Sequence, residues 1–242
     1  MSKKYDTRRG VISAIEDISF GVAPGEFVCL VGPSGCGKST LLRLLAGLIR
    51  PDVGQVCLHG KPLDGPSRKI GLVFQNANLM PWRTVLDNVM LPLQVQQVPE
   101  EETRQRAIKA LALVGLTDFM DSYPHQLSGG MAQRVAIARI LVQKPEVLLL
   151  DEPFGALDAL TRERLNQELM RLWEVSRESV VMVTHNIREA VFLADRVLVL
   201  TQRPGRVAAA IPIDLPRPRA RSLLYDSEEF NGLASRVRQA IQ

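Results

Sequence analysis

The chain has 242 residues, of which 46% are hydrophobic and 23% are charged, with a formal net charge of +4. This size and apolar content allow one large or two small domains, and the mild charge without any run of five like charges argues against a nucleic-acid-binding tail. No apolar run reaches the roughly 18 residues that a membrane span needs, and the first ten residues lack the apolar stretch of a secretory signal.

The first predicted element follows a polar, basic N-terminus. Apolar and polar residues alternate from 14 to 22, and residues 24–26 (PGE) form a turn before the next strand, so we predict a hairpin here. Tyr5 is the only aromatic residue before Phe20. A lone exposed ring in such a stretch needs no special explanation.

Residues 27–48 are predicted to form a buried strand, a glycine-rich loop and a helix. The strand covers 27–31 and the helix 39–48, whose apolar spacing favours an inward face of Leu41, Leu42, Leu44, Leu45 and Leu48. The loop between them matches the pattern G-x-x-x-x-G-K-[ST] in the strand–loop–helix context that makes this pattern informative. Together with the next residue, the candidate phosphate-binding residues are Gly32, Pro33, Ser34, Gly35, Cys36, Gly37, Lys38, Ser39 and Thr40.

This loop has the chemistry of a nucleoside triphosphate site. Glycines let backbone N–H groups converge on an anion, and the helix N-terminus adds partial positive charge. Lys38 is expected to reach the β- and γ-phosphates and the Ser39 hydroxyl to ligate Mg²⁺. A glycine-rich turn without a ligand is the alternative. The three cysteines form no C-x-x-C motif, which favours reduced thiols in a cytosolic protein.

A strand over 69–74 delivers Gln75 just past its carboxyl end, where open α/β sheets bind their ligands. An ordinary loop glutamine is the alternative. Helices are predicted over 85–93, ended by Pro92, and over 99–113. Because no convincing strand occurs between Gln75 and Leu127, we expect a helical insert in an otherwise α/β chain.

A second candidate anion site opens the helix predicted over 131–142. Ser128, Gly129 and Gly130 precede this helix, and a helix N-terminus rich in glycine can bind an anion. An ordinary serine N-cap is an equally good interpretation of the same residues.

The strand predicted over 145–150 ends in two adjacent carboxylates, Asp151 and Glu152. Such a pair is costly at a sheet edge unless it is paired or bound to metal. We therefore expect Asp151 to bind Mg²⁺ and Glu152 to polarise the water that attacks the γ-phosphate. A helix-capping Asp is the structural alternative.

The remaining elements follow in order. A turn over 154–158 ends in Asp158 and leads into a helix over 159–173, and a strand over 179–183 is followed by His185. A lone histidine at such a position is more often structural than catalytic. We further predict a helix over 186–194, a hairpin of 196–201 with 207–211, a loop from 213 and a final helix over 228–242.

The motifs, taken in this order, resemble those of the nucleotide-binding subunit of an ABC transporter over nearly the whole chain. They are the phosphate loop, Gln75, LSGGM at 127–131, LLLDEP at 148–153, GALD at 155–158 and His185. The resemblance implies an α/β P-loop NTPase cassette with a RecA-like core, a small antiparallel β region and a helical insert. It further implies a single ABC ATPase domain over 1–242, with the core at about 1–75 and 143–212, the helical subdomain at about 76–142 and a tail at about 213–242.

The resemblance also implies roles for individual residues. Tyr5 matches the aromatic residue on which adenine stacks, and Gln75 the residue that contacts Mg²⁺ or water and senses the membrane subunit. Glu152 matches the general base, His185 the γ-phosphate switch, and Asp158 a contact across a dimer. In the family, Ser128 and Gly130 of one subunit complete the ATP site of the other, so that a head-to-tail homodimer encloses two ATP.

The chain departs from the family pattern at two places. Met131 stands where many ABC proteins have Gln, which removes an amide but leaves the Ser-Gly-Gly sequence. We expect ATPase activity to survive this change. The strand that usually precedes the adenine-stacking aromatic is expected to be missing or very short.

Several segments resemble importers of the nitrate, sulfonate and taurine type, namely 74–76, 79–84, 153–165 and the RPGRV hairpin. This implies separate transmembrane permease subunits, an indirect role for an extracytoplasmic solute-binding protein, no nucleic-acid partner, and a place at the cytoplasmic face of the inner membrane. Trp82 and Arg83 would then form part of the groove for a permease helix, with a buried structural Trp as the alternative. A P-loop kinase, a soluble ABC ATPase and a regulatory module without turnover are the competing functions, and the solute stays open.

Overall fold

The computed structural model describes residues 1–7, 10–155, 157–219, 225 and 227–241. Predictions for Ala156 in the turn before the long helix, for 220–224 and 226 in the tail, and for Gln242 fall outside these residues. The elements are β1 (Lys3–Thr7), β2 (Gly10–Ile15), β3 (Phe27–Val31), α1 (Lys38–Leu45), β4 (Cys57–Leu58), β5 (Lys61–Pro62), β6 (Ile70–Val73), α2 (Val85–Val95), α3 (Glu100–Leu113), α4 (Gly129–Leu141), β7 (Val147–Asp151), α5 (Ala159–Ser176), β8 (Ser179–Val183), α6 (Ile187–Leu193), β9 (Arg196–Leu200), β10 (Val207–Pro212) and α7 (Glu228–Ile241).

The chain divides into two compact units. The terminal unit comprises Met1–Ser67 and Glu178–Gln242, and the central unit comprises Arg68–Arg177. The described helices include none that is both long and apolar enough to cross a bilayer. The predicted core, helical subdomain and tail stay a prediction.

The terminal unit contains strands in the order β10-β9-β3-β8. β3 runs parallel to both β8 and β9, whereas β10 is antiparallel to β9 and has a shift in register between Val207 and Ala209. All five residues of β3 are buried, as expected for a parallel strand covered on both faces. The carboxyl end of this strand therefore projects a loop from a rigid centre.

The predicted hairpin at 14–22 is wrong. The strand β2 ends at Ile15 and pairs with β1, while Ile18 bonds to Met1 in both directions, through its N–H and through its carbonyl oxygen. Asp17 between them has a φ of 49°. The apolar alternation thus continues past β2 because Ile18 is buried, and not because the strand does.

The helix after the phosphate loop is shorter than predicted. α1 ends at Leu45 and Gly47 has a φ of +71°, a left-handed conformation that commonly ends helices. A Cβ at Gly47 would lie 2.3 Å from the carbonyl oxygen of Gly65. Leu48 is consequently outside the helix and 48% exposed, so its prediction as an inward residue is wrong. Leu45, at the end of the helix, is half-buried.

The central unit pairs β6 and β7 in parallel and surrounds an apolar cluster with helices. α2, α3 and α4 contribute buried residues to it, including Val89, Leu111 and Val135. Pro92 does not end α2 as predicted but lies inside it. Pro92 has no N–H and so cannot make the helical hydrogen bond to the Asn88 carbonyl oxygen. The burial of Leu93, the next residue, explains why the helix continues.

Candidate functional site

The phosphate loop joins β3 to α1 in the terminal unit, as predicted. The Lys38 ammonium donates to the carbonyl oxygens of Gly32 and Pro33, both at 2.9 Å, so the loop wraps around the amine. Gly37 has a φ of +106°, and a Cβ there would lie 2.6 Å from Ile15 Cγ2 and 2.7 Å from the Ala14 carbonyl oxygen. Only glycine fits this position. The glycine therefore lets the start of α1 pack directly on the end of β2.

Arg203 contacts the same loop, a role that the sequence did not indicate. It lies in the turn between β9 and β10, and its Nε and Nη2 donate to the Gly35 carbonyl oxygen at 3.1 and 3.0 Å. In the same turn, a Cβ at Gly205 would lie 2.1 Å from the Cys36 carbonyl oxygen. The turn thus packs directly on the phosphate loop.

His185 is exposed and follows β8. This strand pairs with β3, which leads into the phosphate loop. Leu30 of β3 pairs with Val183 of β8, and the Thr184 N–H donates to the Leu30 carbonyl oxygen at 3.2 Å. Both functional segments therefore leave the sheet at the carboxyl ends of neighbouring parallel strands, where α/β proteins bind ligands.

Tyr5 lies in β1, pairs with Ile12 and is half-buried. Only Lys3 and Lys4 precede it in the strand, in line with the expected short strand. The last two residues of β2, Ala14 and Ile15, lie against Gly37. The hairpin thus adjoins the phosphate loop, while adenine stacking on Tyr5 stays a prediction.

In the central unit, Gln75 and Asp151 follow neighbouring parallel strands, since Val73 of β6 pairs with Leu150 of β7. Gln75 is exposed. The segment after β6 is held by α4, where Gln133 Nε2 donates to the Phe74 carbonyl oxygen at 3.2 Å. Arg139 donates to the carbonyl oxygens of Ala77 and Asn78, and its burial lowers the pKa of its guanidinium.

Glu152 has a φ of 44°, a left-handed conformation that is strained for a residue with a side chain. The Gly155 N–H donates to the Glu152 carbonyl oxygen at 3.0 Å and closes the turn. Strained backbone of this kind costs of order 1–3 kcal/mol and clusters at functional sites. The strain supports a role for Glu152 beyond that of a connector after β7.

Ser128 caps α4, and its Oγ accepts from the Met131 N–H at 3.3 Å. This confirms the N-cap interpretation and leaves the anion site open, since a serine hydroxyl that accepts one bond can still donate another. A Cβ at Gly130 would lie 3.1 Å from Thr161 Cγ2, and one at Gly129 would lie 3.2 Å from Leu157 Cδ2. The glycines thus allow the start of α4 to approach that of α5.

Asp158 caps α5 and is exposed. The Thr161 N–H donates to Asp158 Oδ1 at 3.0 Å and this bond lowers the pKa of the Asp158 carboxyl. Arg162 was missed by the sequence, although it donates to the carbonyl oxygens of Phe154, Gly155 and Leu157. This arginine fixes the turn between β7 and α5.

The side chains suited to Mg²⁺ are a hydroxyl, an amide and a carboxylate, on Ser39, Gln75 and Asp151. Oxygen donors of this kind suit a hard cation that retains phosphate and water ligands. Over the described ranges, no group of three or more His, Cys, Asp or Glu could hold a metal ion by itself. By donor type, each of these three residues therefore fits Mg²⁺.

The central unit also has a mainly apolar groove of about 470 Å³. Its lining includes Leu72, Met80, Leu91, Val95 and Ile140. Trp82, close to Met80 in the chain, is 71% exposed, so the alternative of a buried structural Trp is wrong.

Buried Asn88 fixes the chain at this groove. Its amide donates to the carbonyl oxygens of Met80, Arg83 and Thr84, and its Oδ1 accepts from the Met80 N–H at 2.7 Å. The segment that carries the exposed Trp82 is therefore rigidly attached to α2.

Comparison with known proteins gives consistent matches. The family model for ABC transporters matches residues 15–155. An uncharacterised ABC transporter ATP-binding protein of Methanocaldococcus jannaschii is 47% identical over 100% of this chain and 92% of its own length.

Two relatives have more specific names. A nitrate import ATP-binding protein of Synechococcus elongatus is 46% identical, covering 95% of this chain and 85% of the relative. A bicarbonate transport ATP-binding protein of Synechocystis is 45% identical, covering 95% and 83%.

Among solved structures, a dimeric ATP-binding cassette in a post-hydrolysis state with ADP and phosphate has a TM-score of 0.78 and 36% identity. The match covers 89% of this chain and 97% of that one. The α/β P-loop cassette architecture predicted from the sequence is thereby confirmed.

Proposed function

The chain belongs to the ABC transporter family and hydrolyses ATP, and we propose that it does so as the energising subunit of an importer for a small oxyanion. The observation that carries this proposal is the near full-length similarity to relatives named for nitrate import and bicarbonate transport. Both solutes are small anions in which three oxygens surround a trigonal central atom. The sulfonate and taurine types suggested by the sequence are the other solutes to test.

In this proposal, each motif residue has one task at the nucleotide. The Lys38 ammonium and the loop N–H groups bind phosphate oxygens, the Glu152 carboxylate orients the attacking water, and His185 contacts the γ-phosphate. Catalysis then consists mainly of positioning and charge stabilisation. Ser39, Asp151 and Gln75 would hold Mg²⁺, which when bound neutralises charge on the phosphates.

We propose further that two copies associate head to tail around two ATP. Ser128 and Gly130 would complete the partner copy's site, with Asp158 as a second contact. The free donor capacity of the Ser128 hydroxyl and the dimeric state of the related cassette with ADP and phosphate support this arrangement.

We propose that the apolar groove of the central unit receives a helix of a separate permease. An apolar cleft suits an amphipathic helix that inserts a few apolar side chains. Its lining includes Met80, two positions before the exposed Trp82 in the chain, but neither Trp82 nor Arg83. The chain would then act at the cytoplasmic face of the membrane, with a solute-binding protein acting on the permease from the other side.

Two experiments test these proposals. First, Glu152→Gln should form a stable ATP-dependent dimer by light scattering and release no phosphate. A monomer that hydrolyses ATP at the parental rate would contradict both the dimer and the role of Glu152.

Second, deletion of the gene in its host should abolish uptake of labelled nitrate, bicarbonate or an alkanesulfonate. The parental gene should restore this uptake and Glu152→Gln should not. Unchanged uptake of all of these would overturn the importer proposal.

A further inference from the structure

The helix after His185 is held at both ends by the C-terminal segment, of which the structure describes residues 213–219, 225 and 227–241. α6 has only seven residues, and a helix this short is not stable by itself. Its position is therefore set by the groups that pack on it.

Two arginines of this segment bind the C-terminal end of α6. Arg219 Nη1 donates to the carbonyl oxygens of Val191, Phe192 and Ala194 at 3.3, 2.9 and 2.7 Å. Arg217 Nη2 donates to the Leu193 carbonyl oxygen at 2.8 Å and to Asp195 Oδ1 at 2.7 Å. These carbonyls lack partners within a helix, and cations are favoured at this end of it.

The same segment binds one face of α6 near its start. Arg188 and Phe192, four residues apart, lie on one face of the helix. The Arg188 guanidinium lies 4.6 Å from the ring centroid of Tyr225 and 5.0 Å from that of Phe230. It also donates to the Tyr225 carbonyl oxygen at 2.8 Å and to Asn231 Oδ1 at 3.1 Å.

Hydrogen bonds connect Glu189, in the first turn of α6, to the side chains of the residues on both sides of His185. The Asn186 N–H donates to Thr184 Oγ1 at 3.0 Å, and Asn186 Oδ1 accepts from the Glu189 N–H at 3.2 Å. Thr184 Oγ1 also bonds the Glu189 carboxylate. A displacement of α6 would therefore displace His185.

We propose that the C-terminal segment positions His185 through α6, and that Arg188 is the positioning residue at the centre of this contact. The inference rests on the role proposed above for His185 at the γ-phosphate. Arg188 reaches no part of the phosphate loop in the hydrogen bonds that the structure gives it, so its effect on hydrolysis is indirect. Loss of such support affects the reacting geometry more than nucleotide binding.

The test is steady-state ATP hydrolysis by Arg188→Ala, Arg188→Lys, Asn231→Ala and His185→Ala. Arg188→Ala should lower kcat about five- to twentyfold and change KM for ATP less than about twofold, since misplacement of a catalytic group can cost up to about a hundredfold. Lysine keeps the charge above the rings but loses the planar fork of donors, so it should restore part of kcat. Asn231→Ala, which removes one acceptor of the guanidinium, should lower kcat by a smaller factor.

The matched control is Arg236→Ala, an exposed arginine of α7, which should keep the parental kcat. A parental kcat in Arg188→Ala, or a loss of stability without a change in kcat, would overturn the inference. The inference would also be overturned if Arg188→Ala lowered single-turnover phosphate release in the His185→Ala background by the same factor as in the parental chain. Positioning through His185 requires that the two losses not multiply. A parental kcat in His185→Ala would instead contradict the role of His185 itself.

Discussion

At the scale of single residues, Arg203 in the β9–β10 turn allows a test of whether this turn supports the phosphate loop. Arg203→Ala removes two charged hydrogen bonds to the Gly35 carbonyl oxygen. Because the guanidinium is exposed, we expect a loss of only about 0.7–1.4 kcal/mol, or about three- to tenfold in KM for ATP, with kcat within about twofold. Steady-state kinetics measure both constants.

The control for this prediction is Arg206→Ala in the same turn. Arg206 pairs with Glu16 at 3.0 Å, and both side chains are substantially exposed, so its loss should leave KM nearly unchanged. Equal changes in KM for the two variants would show that the turn as a whole, and not the Gly35 contact, supports the loop.

The residues that the sequence predicted and those that it missed differ in their physical signal. Lys38 and its glycines form one contiguous pattern, so the phosphate loop could be predicted from local sequence alone. Arg203 binds a backbone carbonyl that is 168 positions away in the chain. Every residue has a carbonyl oxygen, so an acceptor of this kind leaves no trace in the side-chain pattern. The same reason hides Arg162 and Arg219.

At the scale of elements, Asn88 connects α2 to the segment that carries Trp82. Asn88 is fully buried and makes four hydrogen bonds, so Asn88→Ala leaves buried backbone groups without partners. We expect the free energy of unfolding, measured by urea denaturation, to fall by about 2–4 kcal/mol.

Thr103→Val is the control within the same unit. Thr103 is also buried, but its hydroxyl makes one hydrogen bond, to the Val98 carbonyl oxygen. A loss for Asn88→Ala no larger than that for Thr103→Val would contradict the proposed importance of Asn88.

The cap of α5 predicts a dependence of stability on pH. The folded-state pKa of Asp158 lies below its ordinary value, so the cap stabilises the fold above an ordinary aspartate pKa of about 4 and loses this contribution as the pH falls further. Asp158→Asn keeps a capping oxygen but has no charge to titrate. The difference in unfolding free energy between the parent and this variant should therefore shrink as the pH falls through the acidic range, and a difference that stays constant would contradict the assignment.

Element boundaries show where local pattern is insufficient. The strands β6, β7 and β8 lie close to their predicted positions because buried apolar runs are unambiguous once they end in polar residues. The hairpin predicted at 14–22 is wrong because the backbone of Ile18 pairs with Met1, the first residue of the chain, instead of extending β2. The prediction of Leu48 as an inward helix residue is wrong because Gly47 ends α1 about one turn early. The first error involves a contact outside the window in which periodicity is measured, whereas the second has a local signal, a glycine that can end a helix.

At the scale of the whole molecule, the proposed head-to-tail dimer predicts that hydrolysis depends on protein concentration. The rate per chain should rise with concentration and level off when association is complete, because each site would need groups from two copies. Activity at several dilutions, each brought to the same salt and Mg²⁺, measures this. A rate per chain that is independent of dilution down to concentrations where light scattering finds monomers would contradict the composite site.

The β9–β10 pair, described above as part of the terminal unit, also affects how copies of the chain meet in a crowded cell. β10 is an outer strand of its sheet, and an outer strand with free backbone groups can pair with another molecule and start aggregation. Here a register shift between Val207 and Ala209 interrupts the regular spacing of those groups, and Pro212 at the end of the strand has no N–H to offer. The outer strand is thus a poor template for β-pairing between molecules, which disfavours irreversible strand-to-strand contact.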